Sequence, residues 1–336
     1  MTNAAQNVLF INFGGIGDEI LFLPAISSFK KEFPSAKITL CLEPRSRAIK
    51  DLTPLIDDLI LVDIKARGIK KYFEILKMLK TVRSSRFDTV ISSGKSPQVA
   101  VLEFLCGVKR RVGYKSKTSF LLTDSVELNE NQYAAKMYHE LVSPLSSHIF
   151  EPIKIEPQGE FELPKELVTS DFICIHPGVS KMSVEKNMVK CPKSSFWIEL
   201  ITKMTSKGIR TVLLGGPDDE EIIGEIVSAT PESENIINLY GKTQNIAQLA
   251  RIIQASKALV CVDSAPMHIG VGVGTKVIAI FGPTDEEKLI PKGDNFIVIK
   301  NKVDCDIRPC LWARRQTTCD TLECLNISPD EVLEHL

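Results

Sequence analysis

The sequence predicts an α/β protein built from two doubly wound, Rossmann-like domains. Short apolar runs alternate with segments of helical spacing along the chain, the pattern of parallel βαβ units. Its 336 residues suffice for two domains of about 150 residues each. A strand, a tight turn and a helix also follow one another in both halves, once around Gly14 to Asp18 and once around Asp263 to His268.

Val8-Leu9-Phe10-Ile11 reads as a buried strand and Gly14-Gly15-Ile16-Gly17-Asp18 as a tight loop. Glu19 to Phe33 has helical spacing, with apolar side chains at Ile20, Leu21, Leu23, Ile26 and Phe29. Further strands are expected near 37–42, 59–62 and 88–92, with a shorter pair near 110–114 and 122–127. Helices fit at about 45–51, 70–84, 96–106 and 131–147. Glu151 to Gly159 carries Pro152 and Pro157, lacks helical periodicity, and is the expected linker. The domains are accordingly drawn at 1–157 and 158–336.

The second half restarts with the buried strand Phe172 to His176. Helices at 194–207, 218–229 and 245–255 then alternate with strands at 211–214 and 236–239. The run Ala258 to Val262 is a strand, Asp263 and Ser264 are good helix caps, and Pro266 suits a first helical turn, where a missing N–H costs nothing. The strand Val277 to Ile280 leads into Phe281-Gly282-Pro283-Thr284. A helix start of this kind, beside the carboxyl edge of a sheet, offers free N–H groups and a positive dipole end, a setting suited to phosphate. Two doubly wound domains would place a cleft between their carboxyl-edge loops.

Composition excludes several classes. Hydrophobic residues make up 44% and charged ones 25%, an ordinary soluble balance, and the net charge of −1 gives no global case for nucleic acid. No run approaches the roughly 18 apolar residues of a membrane-spanning helix, and no basic segment precedes an apolar core at the N-terminus. The expected location is the cytosol, with the nine cysteines mostly reduced.

Taken together, Gly17-Asp18, His176-Pro177-Gly178, Gly215-Gly216-Pro217, the block Asp263 to His268 and Phe281-Gly282-Pro283-Thr284 resemble the motifs of glycosyltransferase family 9, the ADP-heptose:lipopolysaccharide heptosyltransferases and relatives. They occur in the family's order over almost the whole chain. The resemblance implies the GT-B architecture, with the acceptor on the first domain and a nucleotide-sugar donor on the second. It also implies inverting sugar transfer that needs no metal or other cofactor.

On that resemblance Asp18 is the general base that takes the acceptor hydroxyl proton, with Gly15 and Gly17 on the acceptor side. The same aspartate could instead cap the helix beginning at Glu19. A dinucleotide fingerprint, with Glu43 as the ribose acid, fails where Ile20 stands at the third glycine position. Asp263, Ser264, Ala265, Met267 and His268 are expected around the donor diphosphate, the amides of Ala265 and Met267 serving as donors because Pro266 has none. Plain capping by Asp263 and Ser264, with His268 as a packing residue, is the alternative. Gly178 allows close backbone approach to phosphate. Lys190 precedes Cys191-Pro192 where the family has Lys before Trp-Pro, displaced by one position, so it is a candidate phosphate contact and could equally be a solvated loop lysine. Asp219 or Glu220 matches an acidic contact to the nucleotide ribose, and either could equally complement a helix dipole.

Residues 65–86 carry Lys65, Arg67, Lys70, Lys71, Lys77, Lys80, Arg83 and Arg86 against Glu74, with an apolar stripe of Ile69, Phe73, Leu76 and Leu79. Such a helix could rest on an anionic membrane surface, or its charges could simply be solvated. Lys109, Arg110, Arg111, Lys115 and Lys117 form a second basic patch. Cys305, Cys310, Cys319 and Cys324 are spaced C-x4-C-x8-C-x4-C, looser than the usual zinc knuckle, so free thiols or an adventitious disulfide are the default and a structural metal the alternative. Asp304-Cys305-Asp306 spells D-x-D but lies in the tail rather than after a central strand.

The expected partners are thus a nucleotide-sugar and a glycolipid or glycan, with no nucleic acid. The location is cytoplasmic, extending to the inner face of the cytoplasmic membrane. The rival readings are a family member with another donor or a protein acceptor, a GT-B sugar-nucleotide epimerase, and a nucleotide-sugar-binding protein without catalysis.

Overall fold

Val8, Leu9 and Phe10 are wholly buried, and an apolar run with no polar face belongs in the middle of a sheet covered on both sides. The computed structural model, which describes residues 7–168, 170–311 and 317–336, puts them there as β1 (Asn7–Ile11). The chain divides into two compact units, Met1–Gln158 and Gly159–Leu336.

In the first unit β1 is followed by α1 (Ile16–Glu32), β2 (Lys37–Leu42), β3 (Asp58–Leu61), α2 (Ile69–Ser85), β4 (Thr89–Ser92), α3 (Pro97–Leu105), β5 (Arg110–Tyr114), β6 (Asp124–Val126) and α4 (Ala134–Glu140). The strands form one sheet in the order β3-β2-β1-β4-β5-β6, and every pairing is parallel. Alternate residues of β1 serve opposite faces. Phe10 meets Phe22 and Phe29 of α1 edge-on, each at 5.7 Å, while Leu9 and Ile11 pack with Met78, Leu79 and Val82 of α2. The order reverses direction between β1 and β4, and that switch point is where a doubly wound sheet opens a crevice at its carboxyl edge.

Three expectations shift. Helix α1 starts at Ile16 rather than Glu19. Residues 44–52 form tight 3-10 turns, starting at Pro44, instead of an α-helix. The helix expected over 131–147 is limited to α4, with Pro144 three residues beyond its C-cap, Leu141; proline disfavours helical backbone in the residue before it. The proline-punctuated stretch after it is no free tether. Ile153 and Ile155 are buried, and the amides of Glu156 and Gln158 donate to the carbonyls of Leu52 and Asp51 at 2.9 and 2.8 Å.

The second unit runs α5 (Lys165–Val168), β7 (Ile173–His176), α6 (Lys181–Glu185), α7 (Ser194–Ser206), β8 (Thr211–Leu213), α8 (Glu220–Ala229), β9 (Ile236–Asn238) and α9 (Ile246–Ala255). It continues with β10 (Ala258–Val262), α10 (Ala265–Val273), β11 (Lys276–Ile280), α11 (Glu286–Leu289), β12 (Phe296–Ile299) and α12 (Pro329–Leu333). Its parallel sheet is ordered β12-β11-β10-β7-β8-β9, the same winding as the first, with the switch point between β7 and β10. Trp197, Leu200, Ile201 and Met204 line the buried face of α7 and join a core that also takes Leu325, Ile327 and Val332 from the C-terminal stretch. No described helix is long and apolar enough to cross a membrane.

Candidate active site

In the first unit the turn after β1 lies at the switch point. Gly15 is the N-cap of α1 and Asp18 its third residue. The Asp18 Oδ2 accepts the Gly15 N–H at 2.8 Å, so the carboxylate braces its own turn through one oxygen. Gly14 is required by this packing, because a Cβ there would sit 2.2 Å from Asp18 Cβ. Behind the turn, buried Asn12 donates to the Asp18 carbonyl at 3.3 Å and accepts from Ser93 Oγ at 2.6 Å, which ties the turn to the end of β4. Ser46 Oγ adds a bond to the Gly14 carbonyl at 3.0 Å. Gly17 is the second residue of α1.

Two further carboxylates surround this turn. Burial, aided by the charge of Asp18, pushes Glu19 up to about 9, so it lines the turn as a neutral acid. Glu43 is buried and ion-paired with Arg45 at 2.6 Å and Lys65 at 3.2 Å, so it is engaged by cations rather than presented to a ribose.

In the second unit three chemistry-bearing segments come from adjacent strands. His176 ends β7 and is in register with Cys261 of β10; Asp263 follows β10, and Thr284 lies just past β11. Lys190, 73 residues before Asp263, donates to its Oδ2 at 3.0 Å. Asp263 is only 5% exposed. Its burial favours the neutral form, but Lys190, His268 and Thr284 together outweigh that and hold its carboxyl below the usual carboxylate range. The result is a charged pair beside the start of α10.

Ser264 is the N-cap of α10 by backbone conformation, yet its hydroxyl donates back to the Val262 carbonyl at 3.3 Å instead of capping the helix. Ala265 is the first helical residue, where an amide has no intrahelical acceptor. Met267 departs from expectation. Its N–H is taken by the Ser264 carbonyl at 3.1 Å, and its side chain is wholly buried. His268 is buried on the same helix, close enough for its charge to act on Asp263.

Gly178 also has a different partner from the one expected. A Cβ there would lie 1.7 Å from Asp219 Oδ1, so the close approach is to a carboxylate of the protein itself. Asp219 is buried, accepts the Gly216 N–H at 2.8 Å and faces His176 Nε2 at 3.5 Å. Burial pushes the Asp219 carboxyl up and the His176 imidazole down, each opposed by the other. Glu220, next in sequence, begins α8 exposed to solvent.

Sequence reasoning missed a clamp on the loop after β11. Glu286 is paired with Lys300 and with Arg308, the latter at 2.8 Å, while Arg308 Nε donates to the Gly282 carbonyl at 2.7 Å. Burial would raise the Glu286 carboxyl, but Lys300 and Arg308 hold it below its ordinary range. None of the tail cysteines is in a disulfide; Cys305 is exposed and Cys310 buried. Burial pushes Cys324 up to about 11, with Cys319 and Cys310 adding to the effect. Among the described residues no group of three or more His, Cys, Asp or Glu side chains is arranged to hold a metal ion.

Two Rossmann units of identical winding, each with its polar turn at the switch point, make the GT-B framework, and the chain is a glycosyltransferase. It belongs to glycosyltransferase family 9 (heptosyltransferase), whose profile matches residues 75–314. Lipopolysaccharide heptosyltransferase 3 of Escherichia coli is 25% identical over 296 residues, covering 84% of this chain and 85% of that protein. Among solved structures, the glycosyl transferase family 9 protein from Veillonella parvula DSM 2008 superposes with a TM-score of 0.76 at 20% identity, covering 99% of this chain and 98% of that one. The E. coli heptosyltransferase WaaC with ADP-2-deoxy-2-fluoro heptose gives 0.69 at 20% identity, covering 88% and 93%.

Proposed function

We propose that this protein transfers a heptose from ADP-heptose to a hydroxyl of a lipopolysaccharide core or related glycan, with inversion and without a metal ion. The observation that carries the reading is the Lys190–Asp263 pair beside the start of α10. Asp263 holds the Lys190 ammonium in place, and the N–H donors it leaves unused, with those of the helix N-terminus, suit the oxygens of a departing diphosphate. The names of the similar proteins, heptosyltransferases acting on lipopolysaccharide and one held with an ADP-heptose analogue, support the donor and acceptor classes.

In this mechanism the acceptor oxygen attacks the anomeric carbon, the bond from that carbon to the diphosphate oxygen breaks, and ADP leaves. Asp18 takes the hydroxyl proton through the oxygen that Gly15 does not occupy. The donor is assigned to the second unit, with Ala265, His268, Lys190 and Asp263 around it; the acceptor is assigned to the first, beside Gly15 and Gly17. The protein would meet its acceptor as a cytoplasmic, peripheral enzyme on the inner face of the cytoplasmic membrane.

A thermal-shift screen of ADP-, GDP-, UDP- and CDP-sugars tests the donor. Selective stabilisation by an ADP-sugar is expected, and a preference for a UDP-sugar sinks the heptose assignment. Asp18→Asn should keep donor affinity and lower ADP release with a core-glycan acceptor by about 10²–10⁴-fold. Normal turnover by this variant would reduce Asp18 to a helix cap.

A further inference from the structure

Helix α2 carries two apolar stripes with the same spacing, and the fold covers one of them. Ile75, Met78, Leu79 and Val82, at i, i+3, i+4 and i+7, pack into the first unit's core. Ile69, Tyr72, Phe73 and Leu76 repeat that interval and are 75%, 70%, 64% and 61% exposed. Four large apolar side chains on one helix face, this open to water, mark an interaction surface. Lys80 and Arg83 continue the outer stripe at i+11 and i+14 from Ile69, and Lys70 and Lys77 flank it; all four are exposed.

The charges say what covers this face. Among the described basic side chains of α2, Lys70 is the one within ion-pair distance of an acid, Asp63 at 3.5 Å. The second basic patch is different: Arg110 is paired with Asp124 at 3.1 Å, Lys115 with Glu127, and Arg111 donates to the carbonyls of Leu121 and Val108, each at 2.7 Å. Three of that patch's five cations are thus engaged internally, against one of the five on α2. A second copy docking by this face would bring like charges together across a two-fold contact. An apolar stripe rimmed by lysine and arginine, lying along a helix, fits the boundary between headgroups and acyl chains of an anionic bilayer.

We infer that the outer face of α2 docks the protein on anionic lipid, with Ile69, Tyr72, Phe73 and Leu76 entering the interface and Lys70, Lys77, Lys80 and Arg83 meeting the headgroups. This deepens the peripheral location proposed above, and its test needs neither donor nor acceptor, so either can fail without the other.

The test is co-sedimentation of the 336-residue protein with vesicles of phosphatidylcholine alone or with added phosphatidylglycerol. Binding to the phosphatidylglycerol vesicles, weakened by salt, is expected. Each basic residue near such a surface is worth about fivefold in binding, so Lys77→Glu/Lys80→Glu/Arg83→Glu should lose about a hundredfold or more. Phe73→Ser/Leu76→Ser should also detach the protein while lowering its melting temperature only slightly, since both side chains are mostly exposed. The inference fails if the wild type ignores phosphatidylglycerol, if either variant binds like the wild type, or if the variants abolish a dimer instead of vesicle binding.

Discussion

The same capping device occurs twice, and only its place in the fold separates the two copies. Gly15 with Asp18 and Gly216 with Asp219 each pair a glycine N–H with a carboxylate three residues on, both at 2.8 Å. Asp18 stands half-buried after β1, at the switch point, whereas Asp219 is sealed among Gly178, Gly216 and His176. The sequence offered Asp219 and Glu220 on equal terms because both follow the same turn, and burial is a long-range property that no local pattern reveals. Lys190 was legible as a candidate but its partner was not, since that contact depends on β7 and β10 lying side by side. Gly178→Ala must displace the Asp219 carboxylate and should lower unfolding free energy by about 1–3 kcal/mol in urea titrations. Gly216→Ala is the control: its added carbon stops 3.8 Å from the same carboxylate, and a change within about 0.5 kcal/mol is expected. The Asp18→Asn variant is informative for a related reason. Asparagine can turn its carbonyl to the Gly15 N–H, which keeps the turn while removing the proposed base; alanine would remove both.

At the level of elements, periodicity located most strands and helices but could not assign a face to α2. The stripe read from sequence, Ile69, Phe73, Leu76 and Leu79, mixes the two sides of the helix, because side chains at either interval look equally amphipathic. Leu79 is in the core and the other three are in solvent. The last helix has its signal in the local sequence: Ser328 caps α12, Pro329 follows, and Glu331 completes the box. On α3, Glu103 is wholly buried, both its oxygens lack a hydrogen-bond partner among the described residues, and burial, against the pull of Arg111, pushes it up to about 9. An acid whose folded pKa is raised stays protonated in the fold while the unfolded chain ionises. Stability is therefore undiminished below pH 4.5, the unfolded value, and declines as pH rises towards 9. Glu103→Gln should match the wild type near pH 4 and exceed it by about 3 kcal/mol at neutral pH. Urea unfolding at both pH values checks this, and equal stability throughout would mean the carboxyl ionises inside the fold.

For the whole molecule, two domains of alternating strands and helices were legible because βαβ units impose a recognisable rhythm. Strand order was not, as it is fixed by pairings between residues far apart in sequence. Each unit has its own parallel sheet. Residues 159–336 expressed alone should fold cooperatively and, on the proposed donor assignment, show stabilisation by ADP, about 2.7 kcal/mol when nucleotide stands a hundredfold above its Kd. Loss of cooperative unfolding would show that the second unit needs the first. The tail makes the two units unequal in another respect. Leu325, Ile327 and Val332 are core residues of the second unit, while the first is complete by Gln158. During synthesis the amino-terminal unit can thus settle early, whereas its companion cannot close its core until the stretch through Val332 has emerged.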